Sequence, residues 1–303
     1  MSEPKLDLSA LRAPTVEEML ELRAEVRRAQ HAEHKARQRQ ERLVEATHAG
    51  AKAAMLAMGP VEPVVAPRLR KKGKKPEVAL LHLTDFQGHK VTSSYDSKVM
   101  RRRALDVVRS AVHLTEIQRH DHPVNDLAIL FGGDMVEGLF NYPAQLAELD
   151  DPDLHNQWIN VSRLLVDVVR LALANFERVT VVSEWGNHGR IGSIRSEVPK
   201  RSNIDRFCYS FARELLFESG EKRLTWDDCP DDIQRVEIGN YRALLAHGDE
   251  VGRNGFASPM TLVRACDRWR SGAFRIDGQP WAFRDVYIGH FHTHNEWALA
   301  NGE

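Results

Sequence analysis

The sequence predicts an α/β fold preceded by a helical arm, and three observations carry that prediction. Five apolar runs of β character recur through the chain: Val78 to Leu83, Leu127 to Phe131, Val179 to Val182, Arg242 to Leu245 and Val286 to Ile288. The first three alternate with segments of helical spacing, the order of a sheet wound by crossover helices, and the second half is richer in strands. Residues 1–75 hold 16 Lys and Arg against 10 Asp and Glu in a chain of net charge −1, so a basic arm precedes an acidic body.

Taken in order, residues 1–58 form the arm. From Thr15 to about Leu56 the composition is dominated by Ala, Glu, Arg and Gln, which predicts a long helix capped by Thr15 with Glu18 at the capping-box position. Met19, Leu20, Leu22 and Val26 give it a short apolar stripe, but Gln30 to Arg42 is polar on nearly every face. No a/d heptad is sustained, so a docking arm that binds a protein partner or self-associates, or a solvated helix, is expected rather than a stable coiled coil. Residues 59–77 read as a Pro-punctuated basic linker, from Gly59-Pro60 to the run Arg68-Leu69-Arg70-Lys71-Lys72-Gly73-Lys74-Lys75-Pro76. Such a run either contacts nucleic-acid phosphates or serves as a solubilising tether.

Residues 78–303 form the predicted catalytic body. Lys98 to Gln118 is a helix candidate, with Val99, Leu105, Val108 and Val112 inward and Arg101-Arg102-Arg103 outside that stripe. Trp158 to Phe176 carries the clearest helical spacing, and Ile204 to Phe217 and Met260 to Arg270 are further helices. Gly239-Asn240 separates Ile233 to Ile238 from Tyr241 to Ala246 as a hairpin turn.

Composition excludes several classes. No apolar run approaches the roughly 18 residues a membrane helix needs, and the N-terminus is charged rather than signal-like. Cys208, Cys229 and Cys266 are odd in number and show no C-x-x-C spacing, which points to a reducing, cytoplasmic setting and away from a disulfide scaffold or structural zinc.

Each of the five apolar runs ends in a short polar block. In order these are Asp85-Phe86-Gln87, Gly133-Asp134-Met135-Val136-Glu137, Gly186-Asn187-His188-Gly189, His247-Gly248-Asp249 and Gly289-His290-Phe291-His292. In an open α/β sheet, strand ends converge on one crevice, so residues far apart in sequence meet there. Carboxylates, imidazoles and an amide at such a crevice suit a pair of divalent cations. Held roughly 3.5–4 Å apart, such a pair activates water and stabilises both the entering and leaving oxygens of a displacement at phosphorus.

The blocks resemble the calcineurin-like metallophosphoesterase superfamily, whose usual pattern is D-x-H, G-D-x-x-[DE], G-N-H-[DE], H-G and G-H-x-H; four of the five match closely. The resemblance implies an αββα sandwich of two mixed sheets with helices outside and metals at the strand ends. It implies that Asp134 bridges the two cations, that Asp85, Gln87 and His292 complete one site, and that Asn187, His247 and His290 complete the other. His188 would face the substrate phosphate as general acid or hydrogen-bond donor, and Glu137 would orient it, as the matching acid does in protein serine/threonine phosphatases. Family members normally continue into further strands after the last block, so a chain ending at Ala300-Asn301-Gly302-Glu303 is expected to be truncated or to close on a short strand.

Two positions depart from the family pattern. Gln87 stands where histidine is usual, and its oxygen donor favours manganese, with magnesium, zinc or iron as alternatives. Gly189 stands where an acid is usual. The segment Phe140 to Gln145 and the Gly-Asn-His-Gly-Arg form of the third block are closest to bacteriophage-encoded metallophosphoesterases related to repair nucleases. The expected activity is therefore phosphodiester or nuclease chemistry on DNA or RNA, by in-line attack of a metal-bridging hydroxide. Arg190 and Arg195, with Lys200 and Arg201, are candidates for backbone phosphates. A phosphomonoesterase or cyclic-nucleotide phosphodiesterase is the enzymatic alternative, and a non-catalytic binding module the third reading. His82, His113, His120, His122 and His155 lie outside the blocks and are expected on the surface or in the core, while His89 and His294 adjoin the crevice.

Overall fold

The apolar runs of the first half become strands because each is followed by a helix whose apolar stripe needs a sheet to cover. The structure is a computed structural model that describes residues 61–69, 75–139, 141–142, 145–191, 199–227, 231, 233–251, 258–273, 275–276 and 279–296, with scattered positions between 15 and 53. The chain divides into two compact units, Met1–Gly50 and Ala51–Glu303.

In the N-terminal unit, residues 19–28 are helical, and Met19 N donates to Thr15 O at 3.0 Å where the sequence places the helix start. Met19, Leu20, Leu22 and Val26 are all exposed. Glu18 lies outside the described residues.

In the second unit the element order opens as β1 (Glu77–Leu83), α1 (Ser97–Gln118), β2 (Val124–Gly132), α2 (Leu154–Leu173), β3 (Arg178–Glu184), α3 (Ile204–Glu218) and β4 (Leu224–Trp226). These strands pair in the order β1-β2-β3-β4, parallel throughout, with Leu81 opposite Ile129 and Ile129 opposite Val181. The sequence reading expected two mixed sheets; this one is parallel because a helical crossover separates each strand from the next. Asp96, Asp153 and Asn203 cap the three helices, accepting from Val99 N at 2.8 Å, His155 N at 2.9 Å and Asp205 N at 2.9 Å. Each cap contributes about 1 kcal/mol.

The second sheet is mixed. β5 (Gln234–Ile238) and β6 (Tyr241–Ala246) form the predicted hairpin, with Gly239 at φ +62° in the first turn position, where a side chain is disfavoured. β9 (Asp285–Ile288) joins β6 in parallel, after α4 (Pro259–Arg268) and a small β7–β8 ribbon (Arg275–Ile276 and Gln279–Pro280). The sequence reading missed β4 and the ribbon, which are three and two residues per strand.

Side-chain alternation shows what each sheet face covers. Leu127, Ile129 and Phe131 of β2 and Val179 and Val181 of β3 pack with α1, α2 and α3 in the main core. Leu130 of β2 joins Val236, Ala243 and Leu245 of the second sheet, with Leu80 and Val182 against them. Leu244 and Ala246 point the other way, onto Ala265 and Cys266 of α4 and the rings of Trp269, Trp281 and Phe283. Cys208 and Cys266 are buried free thiols.

Residues 61–69, read from sequence as part of a linker, lie on the body. Val61, Val64, Pro67 and Leu69 are half-buried, Val61 and Val64 against the main core. The first three recur every third residue, the period of a polyproline II segment. Arg170 donates to Glu62 O, and Arg223 donates to Val64 O at 2.9 Å, while Arg223 also holds Leu173 O at 2.8 Å at the end of α2. The described helices include none long and apolar enough to cross a membrane.

Candidate metal centre

Three of the five polar blocks, the first, second and fifth, leave the strand ends in strained backbone. Asp85 (φ 55°), Gln87 (φ 43°), His89 (φ 76°), Asp134 (φ 52°), His290 (φ 68°) and His292 (φ 51°) all adopt the left-handed region, and outside the blocks and their margins only Lys75 does so among described non-glycine residues. Each such residue costs of order 1–3 kcal/mol, and strain of this kind concentrates at functional sites. Adjacent glycines permit close approach. A Cβ on Gly186 would stand 2.0 Å from Asp134 Oδ1, and one on Gly289 would stand 2.1 Å from Thr84 Oγ1.

Backbone bonds lock the blocks to one another. Asp85 N donates to Gly133 O at 3.0 Å, Gln87 N to Asp134 O at 2.8 Å, and Gly289 N to His247 O at 2.9 Å. Asp205, at the start of α3, accepts from Met135 N at 3.0 Å, Val136 N at 3.2 Å and Gly186 N at 2.9 Å, tying the second block to the third. Burial and the nearby Asp134 charge push the Asp205 pKa up to about 6. Sequence reading missed Asp205, because an acid in the first turn of a helix looks like ordinary dipole compensation.

Asp134 sits at the centre, fully buried. His247 Nδ1 lies 2.7 Å from Gly132 O and can satisfy it only as a donor. Its Nε2 lies 3.0 Å from Asp134 Oδ2 and 3.2 Å from Asn187 Oδ1. Asp134 Oδ2 has no well-directed hydrogen-bond donor. Lone pairs of a carboxylate, an imidazole and an amide therefore converge, and only a positive charge reconciles them, either a proton on Nε2 or a metal cation in its place. Burial would lower the His247 pKa, but the Asp134 carboxylate drives it well above the ordinary value. Likewise burial would raise Asp134, but His247 and then His188 hold it well below the carboxylate range.

His290 completes this group: one ligand atom each of Asp134, His247 and His290 lie within 4.8 Å of one another. The His290 ring is edge-on to His247 with centroids 5.0 Å apart, and burial followed by the His247 charge lowers its pKa. This donor set of one carboxylate and two imidazoles, with Asn187 Oδ1 beside it, fits a divalent cation.

Asp85, Gln87 and His292 gather as a second group. His292 Nε2 is 3.3 Å from Asp85 Oδ1 and 3.1 Å from Gln87 Nε2. Thr84 Oγ1 donates to Asp85 Oδ2 at 2.8 Å, and His290 N lies 3.0 Å from both Asp85 oxygens, so the two groups share the fifth block. Gln87 presents its amide nitrogen to His292; a half-turn of the amide presents the oxygen a cation requires without moving other atoms. His292 is exposed, whereas Gln87 is buried.

His188 lies between this centre and Glu137. Its backbone N donates to Asp134 Oδ1 at 2.7 Å, its Nε2 is 3.9 Å from Asp134 Oδ2, and its Nδ1 is 3.2 Å from Glu137 Oε2 and 3.1 Å from Glu137 O. Burial would lower the His188 pKa, but the Glu137 bond and the Asp134 charge push it up to about 9. Glu137 is fully buried; burial opposes its ionisation, but His188, Tyr142 and Lys90 hold its pKa below the usual value.

The predicted substrate-binding arginines fare differently. Arg190 is half-buried in an ion pair with Asp249, so two metal blocks are latched to each other by a neutralised pair. Arg195 lies outside the described residues, and Lys200 and Arg201 are exposed. His89 is buried on Asp150 at 2.7 Å instead of lining the crevice, and His294 is exposed. His82 is mostly buried with an unpartnered Nε2, and burial takes its pKa down to about 4.

No protein-family model matches the chain, and no curated protein matches it by sequence. Among solved structures, it is similar to the crystal structure of phosphopantetheinyl hydrolase (PptH) from Mycobacterium tuberculosis. The TM-score is 0.26 with 13% sequence identity over 68% of this chain, which spans 57% of that one. A superposition at that score does not define a shared fold. What the chain's own geometry defines is a mixed α/β protein of two sheets carrying an Asp/His/His group that can hold a metal ion.

Proposed function

We propose that the protein is a two-metal-dependent phosphoesterase, acting as a phosphodiesterase or nuclease on DNA or RNA. The observation that carries the reading is the meeting of Asp134 Oδ2, His247 Nε2 and Asn187 Oδ1 with the bonding of His247 Nδ1 to Gly132 O, an arrangement that needs a positive charge and that a metal cation satisfies. The succession of helices, parallel sheet, mixed sheet and α4 supports the αββα sandwich of calcineurin-like phosphoesterases. In this reading Asn187, His247 and His290 hold one cation, Asp85, Gln87 and His292 hold the other, and Asp134 serves both.

Two divalent cations would supply activated water at neutral pH and offset charge on the phosphoryl oxygens. The protein's own contribution is His188. Its Nδ1 is held by Glu137, leaving Nε2 on the side of the metal centre to donate a proton to the departing oxygen. Manganese is the preferred ion because Gln87 supplies an oxygen donor. A nucleic-acid phosphate at Arg190 would have to displace Asp249 from the guanidinium.

The test is a panel in which manganese, magnesium and zinc are each combined with single- and double-stranded nucleic acid and with generic phosphomonoesters and diesters. Manganese-dependent diester cleavage that a chelator abolishes and added manganese restores is expected. Metal binding with no hydrolysis of any ester would leave a binding module instead.

A further inference from the structure

Glu137 meets His188 Nδ1 with its backbone O at 3.1 Å and its carboxylate Oε2 at 3.2 Å, and that carboxylate is itself held by a small ring of side chains, none of them a candidate metal ligand. Tyr142 Oη lies 2.7 Å from Glu137 Oε1 and 2.9 Å from Glu148 Oε2. Gln145 Nε2 donates to Glu137 O at 2.7 Å and lies 3.3 Å from Oε1, while Lys90 Nζ is 3.4 Å from the same oxygen. The Tyr142 ring stands edge-on to the His188 ring, with centroids 6.4 Å apart at 69°. Tyr142 therefore touches both members of the Glu137–His188 pair, one through its hydroxyl and the other through its ring.

The same ring reaches the first metal block. Val91 N donates to Glu148 O at 2.7 Å, Glu137 N donates to Gly88 O at 2.9 Å, and Asp150 N donates to His89 O at 3.0 Å. His89 Nδ1 meets Asp150 Oδ1 at 2.7 Å, two residues from Gln87. Oε1 takes Tyr142, Gln145 and Lys90, and Oε2 is the oxygen that faces His188 Nδ1, at 3.2 Å, beside the contact of that nitrogen with Glu137 O at 3.1 Å. A phenol has one proton, so Glu137 Oε1 at 2.7 Å and Glu148 Oε2 at 2.9 Å compete for it, with Glu137 at the shorter distance.

We infer that Tyr142 is a positioning residue: its hydroxyl fixes the rotamer of Glu137, and through it the orientation of the His188 ring toward the reacting phosphate. The inference rests on the phosphoesterase reading for its kinetic consequence but not for its spectroscopic one. The variant is Tyr142→Phe, which keeps the ring against His188 and removes only the hydroxyl.

With the manganese-loaded chain, Tyr142→Phe should lower kcat about tenfold on a diester with a poor, alkoxide-like leaving group. KM, manganese content and melting temperature should stay unchanged, and the loss on a nitrophenyl ester should be below twofold. In a Glu137→Gln background the same substitution should add less than twofold, because the carboxylate it positions is gone. Equal losses on both leaving groups, or independent multiplication of the two substitutions, would overturn the inference. A separate measurement uses ¹⁵N-labelled imidazole in the metal-free chain. Tyr142→Phe should shift the His188 Nδ1 resonance and speed exchange of its proton; an unchanged signal overturns the positioning role even if no phosphoester is hydrolysed. Absence of turnover in the wild type, with that shift present, would instead reject the hydrolase reading alone.

Discussion

Asp134 Oδ2 and His247 Nε2 face each other at 3.0 Å although His247 Nδ1 already lies 2.7 Å from Gly132 O. An imidazole used this way is oriented by the backbone at one nitrogen and presents the other as a ligand. The carboxylate opposite is completely buried, and its Oδ2 lacks a directed donor.

Asp134→Asn keeps the shape and removes the charge that both candidate cation sites need. The folded chain should survive, but manganese should no longer raise its melting temperature, and turnover should fall by about 10³-fold or more. Calorimetry with and without manganese checks this; a variant still stabilised as strongly as the wild type would remove Asp134 from the site.

His188→Ala leaves every candidate ligand in place. Bound manganese should be unchanged, and turnover on poor leaving groups should fall by about 10²–10⁴-fold, the range for a general acid. Metal analysis alongside kinetics separates the outcomes: loss of metal would make His188 a structural neighbour of the centre rather than the proton donor.

Much of the site was legible in the sequence because its residues stand at strand ends, and a strand end is marked by where an apolar run stops. That signal placed Asp85, Asp134, Asn187, His247 and His290 on one crevice. It could not find Asp205, whose role is to accept three backbone N–H groups from two other loops, a relationship with no local pattern. Nor could it find the clasp of Arg223 on residues 61–69, since one arginine's reach across 159 positions leaves no trace in periodicity. The resemblance implies a mixed first sheet, but the helices between its strands make it all-parallel, and the three residues of β4 are too few to read.

Asp205→Ala should destabilise the fold by about 3 kcal/mol or more, because up to three buried N–H groups lose their acceptor at roughly 1–3 kcal/mol each. Manganese affinity should fall as well, although Asp205 is not a ligand, since the Gly133–Met135 and Gly186 loops lose their shared anchor. Urea unfolding of the metal-free chain measures the first effect, and a change below 1 kcal/mol would contradict it.

His292→Gly separates strain from binding. The residue has φ 51° and an exposed side chain, so glycine should stabilise the metal-free fold by about 1 kcal/mol while weakening the cation site of Asp85, Gln87 and His292. Opposite shifts in chemical stability and in manganese affinity are expected; a loss of both would mean that His292 supports the fold rather than a metal.

Crystals soaked in manganese and measured at its absorption edge test the two-metal claim most directly. The account predicts two anomalous peaks roughly 3.5–4 Å apart, both within bonding distance of Asp134, one beside His247 and His290 and the other beside Asp85 and His292. A single peak, or peaks away from Asp134, would contradict it.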